Sequence, residues 1–355
     1  MREPAFWRRR GAAAALLSPA AAVYGAIAAW RLAQPGWRAA VPVLCVGNFT
    51  LGGAGKTPAA IAIAKLAVAS GHRPFFLSRG YGGRLAGPSQ VSGHSAREVG
   101  DEALLLARTA PTVVARHRPA GAKTAAAAGA SLIIMDDGLQ NPSLAKNVCL
   151  AVVDGRRGIG NGLAFPAGPL RAPLAAQLDR LDALIVVGAA SALSDRASSE
   201  AQKRGLRIFR GELRPDPAVT AMLKGKPALA FAGIGDPEKF FATLEACGIP
   251  AAVRAPFPDH HVYSRAEIAT LLATADRERL ALVTTEKDFL RFSGDPIAAV
   301  LAARTKVLPV TFAFTDPAAI RQMLFDALAV CVPAATSRER KTWRAGTAPG
   351  HDDSK

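Results

Sequence analysis

Thr50-Leu51-Gly52-Gly53-Ala54-Gly55-Lys56-Thr57 follows the apolar run Val41-Pro42-Val43-Leu44-Cys45-Val46 and leads into an alanine-rich stretch that continues to Ala69. That order reads as a strand delivering a glycine-rich loop into a helix, the arrangement that cradles nucleotide phosphates. Glycines let backbone N–H groups turn toward phosphate oxygens, and the helix N-terminus adds positive potential. On this reading Thr50, Leu51, Gly52, Gly53, Ala54 and Gly55 wrap the phosphates. Lys56 reaches the β and γ oxygens, and the Thr57 hydroxyl ligates Mg²⁺. The stretch departs from G-x-x-x-x-G-K-[ST] at one place, where Thr50 stands for the usual first glycine.

Beyond the loop, apolar segments alternate with alanine-rich ones, the pattern of an α/β fold with a parallel sheet and helices on both faces. Pro74-Phe75-Phe76-Leu77 is predicted as a buried strand ending at Ser78-Arg79-Gly80-Tyr81-Gly82-Gly83. Ser131-Leu132-Ile133-Ile134-Met135 is another, stopping at Asp136-Asp137-Gly138, and Leu150 to Asp154 and Leu184 to Val187 repeat the theme. Strand carboxyl ends share the ligand crevice of such sheets, so the acids there are functional candidates. Asp136 and Asp137 stand where a carboxylate holds Mg²⁺ directly or through water. A helix cap or an Asp-Gly turn is the other reading of them. Asp101-Glu102 opens a helical run, where acids also serve simply to complement the helix dipole.

A second, smaller α/β unit is predicted to begin near Lys224, with a strand over Ala228–Ala232, a helix over Pro237–Ala246 and a strand over Leu280–Thr285. Glu286-Lys287-Asp288 after it is either part of a site or a solvated turn. His260-His261 lies in a proline-bounded loop; histidine suits proton transfer near neutral pH, and adjacent side chains in an extended loop diverge, so at most one reaches a reaction. The expected division is residues 1–38 as an N-terminal membrane-associated helix, 39–222 as the phosphate-loop domain, 223–333 as the smaller domain and 334–355 as a disordered tail.

From Gly11 to Trp30 the chain carries no charge, between Arg8-Arg9-Arg10 and the pair Arg31 and Arg38. The segment is long enough for a membrane. Its alanine content, Pro19 and basic ends fit an inserted or interfacial anchor on the cytoplasmic side; a soluble alanine-rich helix is the alternative. A cleaved export signal would carry the phosphate loop to a compartment without ATP. Net charge +16 favours anionic partners, whether phosphates, lipid headgroups or nucleic acid. Aromatics at 6%, with no basic run interleaved with rings, set nucleic acid aside. The four cysteines are far apart with no C-x-x-C pair, which argues against a zinc motif or a disulfide framework.

Taken together, these residues resemble the tetraacyldisaccharide 4′-kinase family, membrane-associated lipid A kinases of Gram-negative bacteria. The resemblance rests on an ordered set covering most of the chain: Val46-Gly47-Asn48 through Thr57-Pro58, Ser78-Arg79-Gly80-Tyr81-Gly82, Gly100-Asp101-Glu102 and Asp136-Asp137-Gly138-Leu139-Gln140-Asn141. It continues with Asp154-Gly155-Arg156-Arg157-Gly158, Phe165-Pro166-Ala167-Gly168-Pro169-Leu170-Arg171, Phe257-Pro258-Asp259-His260-His261 and Thr285-Glu286-Lys287-Asp288. It implies a P-loop NTPase-like domain that transfers the γ-phosphate of ATP to the 4′-hydroxyl of tetraacyldisaccharide 1-phosphate. The product is lipid IVA, made at the inner face of the cytoplasmic membrane with no obligate protein partner. By the family's pattern Asp101 is the general base supported by His260, Lys56 holds the transferring phosphate, and Glu102, Asp136 and Asp137 lie with Thr57 around Mg²⁺. Ala172 stands where the family often has an acid and Asn141 where it often has a histidine, so neither is given a role. A partition-type switch ATPase would carry a second lysine where Leu51 stands. A lipid-surface binding protein with an inactive loop would not keep Lys56, Thr57 and Asp136.

Overall fold

In the computed structural model, which describes residues 4–292 and 296–331, the run after Pro42 forms β1 (Val43–Asn48), buried along its whole length as a strand covered on both faces must be. β2 (Pro74–Ser78), β3 (Ser89–Gln90), β4 (Thr112–Val114), β5 (Leu132–Asp136), β6 (Val148–Asp154), β7 (Ala183–Val187) and β8 (Arg207–Pro215) follow. They line up as β8-β7-β6-β1-β5-β2-β4-β3, parallel except at the short β3 edge. β1 thus sits between β5 and β6, and Val46 lies opposite Asp136. This register puts the acid at the end of β5 beside the start of the phosphate loop.

A second sheet holds β9 (Ala228–Ala232), β10 (Ala251–Pro256), β11 (Ala281–Thr284) and β12 (Thr305–Val307), all parallel, in the order β10-β9-β11-β12. The chain then returns to the first sheet. β13 (Val310–Phe314) runs antiparallel to β8, with Val310 opposite Pro215 and Phe314 opposite Gly211. The helix Pro317–Cys331 buries Ile320, Met323, Leu324 and Leu328 in the core that contains Leu44 and Val46 of β1. The expected assignment of 223–333 to the smaller domain is therefore corrected: 310–331 belongs to the large unit. A strand and helix of ordinary apolar content do not announce which of two sheets they join, and only the long-range pairing with β8 decides it. The expected tail, 334–355, lies outside the described residues.

α1 (Ala12–Ala33) buries Ala14, Ala21, Gly25 and Leu32 and exposes Leu16, Val23, Ile27 and Trp30 on the opposite side. It has 22 residues, with a mean hydropathy of 1.7 over an 18-residue window, and is long and apolar enough to cross a membrane by length and composition. The segment before it is clasped to the large unit: the indole N–H of buried Trp7 donates to Pro166 O at 3.0 Å, and Asn161 N donates to Trp7 O at 2.7 Å. α2 (Lys56–Ala69) packs Ala59, Ala60, Ile63, Ala64 and Ala67 on the sheet. Burying Ile63 alone is worth roughly 1.5–3 kcal/mol. α3 (Ala96–Val99) and α4 (Asp101–Ala107) meet at Gly100, whose φ of +84° and close approach to the Tyr81 carbonyl leave no place for a Cβ.

Candidate active site

The loop between β1 and α2 closes as the glycines require. Gly55 caps α2 with φ +87°, a left-handed conformation open to glycine at no cost. Thr50 is not among the described residues with positive φ, so its lack of a glycine's freedom introduces no strain. The fully buried Asn48 props the loop from beneath: its Nδ2 donates to Thr50 O at 2.8 Å and Gly52 O at 3.2 Å. Its Oδ1 accepts from Lys56 Nζ at 3.2 Å. Lys56 Nζ also lies 3.6 Å from Asp137 Oδ1.

Thr57 Oγ1 donates to Asp136 Oδ2 at 3.4 Å, while Asp136 Oδ1 is buried with no hydrogen-bond partner. Burial, with the neighbouring Glu102 and Asp137 carboxylates, pushes the Asp136 carboxyl up to about 7. A buried carboxylate with one oxygen unpaired, next to a hydroxyl at the head of the loop helix, is a fitting donor set for a divalent cation. Among the described residues no three His, Cys, Asp or Glu side chains are placed to close on one ion. Mg²⁺ held here would therefore complete its shell with phosphate oxygens and water, as this cation does in nucleotide sites.

Two of the expected metal ligands are otherwise engaged. Asp137, at a φ of +50°, takes Arg171 Nη1 on both oxygens at 2.9 and 3.1 Å. Burial would raise its carboxyl, but Lys56 and Arg171 outweigh burial and hold it below the usual range. Glu102 accepts Lys287 Nζ at 2.6 Å. Of the four residues expected around Mg²⁺, Glu102 and Asp137 carry ion pairs to Lys287 and Arg171, while, among the described residues, the Thr57 and Asp136 side chains pair only with each other. One-dimensional reading does not place those two cations beside Glu102 and Asp137.

Facing the loop from the second unit, His260 sits at φ +58°, an uncommon conformation that turns its ring away from its neighbour's. Its Nδ1 lies 3.1 Å from Asp101 Oδ2, and its ring packs 4.9 Å from that of Tyr81. His261 turns the other way and pairs with Glu267 at 3.0 Å. Asp101 is 3% exposed, and its Oδ1 accepts the Glu102 N–H at 2.8 Å. Arg291 donates to its Oδ2 through Nε at 2.8 Å and through Nη2. Burial alone would raise the Asp101 carboxyl; the His260 hydrogen bond and the Arg291 and Lys287 charges outweigh it and hold it well below the usual range. Burial lowers His260 in turn, but its bond to Asp101 prevails and its pKa is raised from 6.5.

These groups border a cleft of about 1050 Å³ between the two units. Lys56, Thr57, Asp136, Arg171 and His260 line it together with the apolar Ile61, Leu213, Phe240 and Phe312; Asp101 does not line it but meets His260 Nδ1. Arg31, near the end of α1, also reaches the cleft. Arg118 lines it while almost wholly buried, with Nη1 donating to Ala115 O at 3.0 Å and Nε unpartnered. Burial lowers its guanidinium to about 10, opposed by Asp136. Asn48, Arg118 and Arg291 are site residues to which sequence reasoning assigns no role, and Lys287, left open there between a site and a solvated turn, pairs with Glu102. Asn48 carries a positional signal just ahead of the loop, but isolated arginines such as Arg118 and Arg291 carry none.

Comparison with known proteins adds an independent finding. A family model described as tetraacyldisaccharide-1-P 4′-kinase matches residues 13–329. A tetraacyldisaccharide 4′-kinase of Rhodopseudomonas palustris (strain BisA53) is 53% identical over 92% of this chain and 96% of its own. One from Methylobacterium sp. (strain 4-46) is 56% identical over 87% and 94%. Among solved structures the "apo" form LpxK of Aquifex aeolicus in complex with ATP superimposes with a TM-score of 0.69 at 24% identity, covering 89% of this chain and 99% of that one. At that identity the structural likeness speaks for the fold.

Proposed function

This chain belongs to the tetraacyldisaccharide-1-P 4′-kinase family, and from that premise we propose how its residues divide the work of an ATP-dependent 4′-kinase of lipid A biosynthesis. The reaction passes the γ-phosphate of ATP to the 4′-hydroxyl of tetraacyldisaccharide 1-phosphate and yields lipid IVA. The observation that carries the assignment of roles is the opposition across one cleft of the Lys56-Thr57-Asp136 corner and the His260–Asp101 pair.

The backbone N–H groups of residues 51–57 and the α2 N-terminus bind the phosphates, and Lys56 follows the charge that spreads over the transferring group. The apolar lining residues Ile61, Leu213, Phe240 and Phe312 suit the flat purine. Mg²⁺ bound by Thr57 and Asp136 would neutralise charge on the β and γ oxygens. The acceptor hydroxyl loses its proton to the Asp101–His260 pair. With both Asp101 oxygens engaged, the member at the cleft wall is His260, which takes the proton at Nε2 while Asp101 fixes Nδ1–H and stabilises the charge that forms. This exchanges the two roles expected from the resemblance. Contacts across the units, such as Lys239 Nζ to Asp154 Oδ2 at 2.5 Å, close the cleft and exclude water as a competing acceptor.

The acceptor is a lipid, and α1 supports work at the cytoplasmic membrane surface. Its exposed apolar face lies between basic flanks, and Arg31 links its end to the cleft. Phosphorus NMR of the lipid recovered after incubation with purified protein, ATP and Mg²⁺ tests the reading. A new phosphomonoester at the 4′ position is expected; ATP hydrolysis with unchanged lipid would exclude it.

A further inference from the structure

Two consecutive acids of the large unit are received by two cations of the smaller one. Asp101 and Glu102 open α4; Arg291 reaches the first and Lys287 the second, at 2.8 and 2.6 Å. Arg291 is almost fully buried, and its remaining hydrogen bonds stay inside its own unit. Nη1 donates to Gly233 O at 2.7 Å and to Asp288 Oδ1 at 2.9 Å. Asp288 is completely buried and also accepts the Gly233 N–H at 2.8 Å and the Tyr263 hydroxyl at 2.7 Å. Gly233 O accepts in addition the His260 N–H at 3.1 Å. The same loop brings Gly235 over the phosphate loop, where a Cβ on it would stand 3.1 Å from Gly53 N. One guanidinium is therefore bonded to the carbonyl that anchors His260, to the hub that shapes the loop over Gly53, and to the carboxylate that orients the His260 ring.

We propose that Arg291 is a positioning residue for phosphoryl transfer: it assembles the Asp101–His260 pair only when the smaller unit lies over the phosphate loop. Closure and proton acceptance are then one event, and a hydroxyl meets a formed base only in the closed cleft. A planar fork is the side chain for the task, because it holds a carboxylate from one unit and a carbonyl from the other at fixed angles, which a lysine does not. Arg291 contacts no residue of the 50–57 loop through the bonds above, so ATP binding is left to that loop. The proposal rests on the kinase reading.

The test is steady-state kinetics of the full chain, varying ATP and lipid separately, for wild type, Arg291→Met, Arg291→Lys and Arg291→Met/Asp101→Asn, with thermal melting of each. Loss of positioning lowers kcat about 100-fold in Arg291→Met with KM for ATP within about threefold. Arg291→Lys recovers part of kcat, and the double variant is within about threefold of Asp101→Asn alone. Should Arg291→Met fail to fold, Arg291→Lys carries the test: it keeps the buried charge and the wild-type melting temperature yet loses kcat. Wild-type turnover by a folded Arg291→Lys, or losses that multiply in the double variant, overturns the proposal. Absence of lipid phosphorylation by wild type in the same assay sinks the kinase reading itself, so the two failures are distinguishable.

Discussion

His260 acquires its reach from a strained φ and its basicity from Asp101. A histidine base acts when neutral, and its raised pKa places the acid limb of the kcat/KM profile above 6.5. Asp101→Asn removes the carboxylate that raises it, so the limb moves to lower pH while kcat falls by about 10². His260→Ala is expected to cost a similar factor, and the double variant little more than either single one. Multiplying losses, or a limb that stays in place, would break the pairing. Asp136 shows the opposite trade. Its folded pKa of about 7 exceeds the ordinary 3.8, so the folded protein keeps a proton that the unfolded chain sheds, and stability falls as pH rises across that interval. Asp136→Asn should melt higher than wild type at pH 8 without Mg²⁺ and yet need more Mg²⁺ for activity. Superimposable Mg²⁺ curves for the two proteins would remove Asp136 from the metal site.

At the scale of elements, α1 is two-sided. Truncating the chain through its end would also take away Trp7 and the small-residue face packed on the large unit, confusing anchoring with stability. Replacing Leu16, Val23, Ile27 and Trp30 with Ser or Gln isolates the outer face, since Leu16 is 82% and Trp30 66% exposed. Sedimentation with anionic vesicles is expected to weaken at least tenfold while melting stays within a few degrees; unchanged sedimentation would end the anchor reading. The elements also separate what the chain declares locally from what it does not. The strand, loop and helix from Val43 to Ala69 are legible because glycine turns and an apolar run with a sharp end are local signals. Asp136 is legible because an acid after an aliphatic run marks a strand's carboxyl end. β13 is not, because its place on β8 depends on contacts about a hundred residues apart, and neither is the capture of Asp137 by Arg171. The two histidines differ only through the backbone turn at His260, a property that no residue type announces.

For the whole molecule, the units built on the two sheets line one cleft. The large unit presents the phosphate loop and Asp136 at its strand ends, and the smaller unit brings His260 and Lys287 to the same cleft and Arg291 to Asp101. Net charge +16 suits a protein whose nucleotide and acceptor phosphate are both anionic. Lipid phosphorylation by this chain requires that the loop carrying Lys56 hold a phosphate that leaves for a lipid. The most direct measurement is transfer of label from γ-labelled ATP to tetraacyldisaccharide 1-phosphate by wild type and by Lys56→Ala, with folding of both checked by circular dichroism. Removing the ammonium should lower the transfer rate by roughly a hundredfold or more, about 3 kcal/mol of transition-state stabilisation, in a protein that remains folded. Near-wild-type transfer by folded Lys56→Ala would contradict the account.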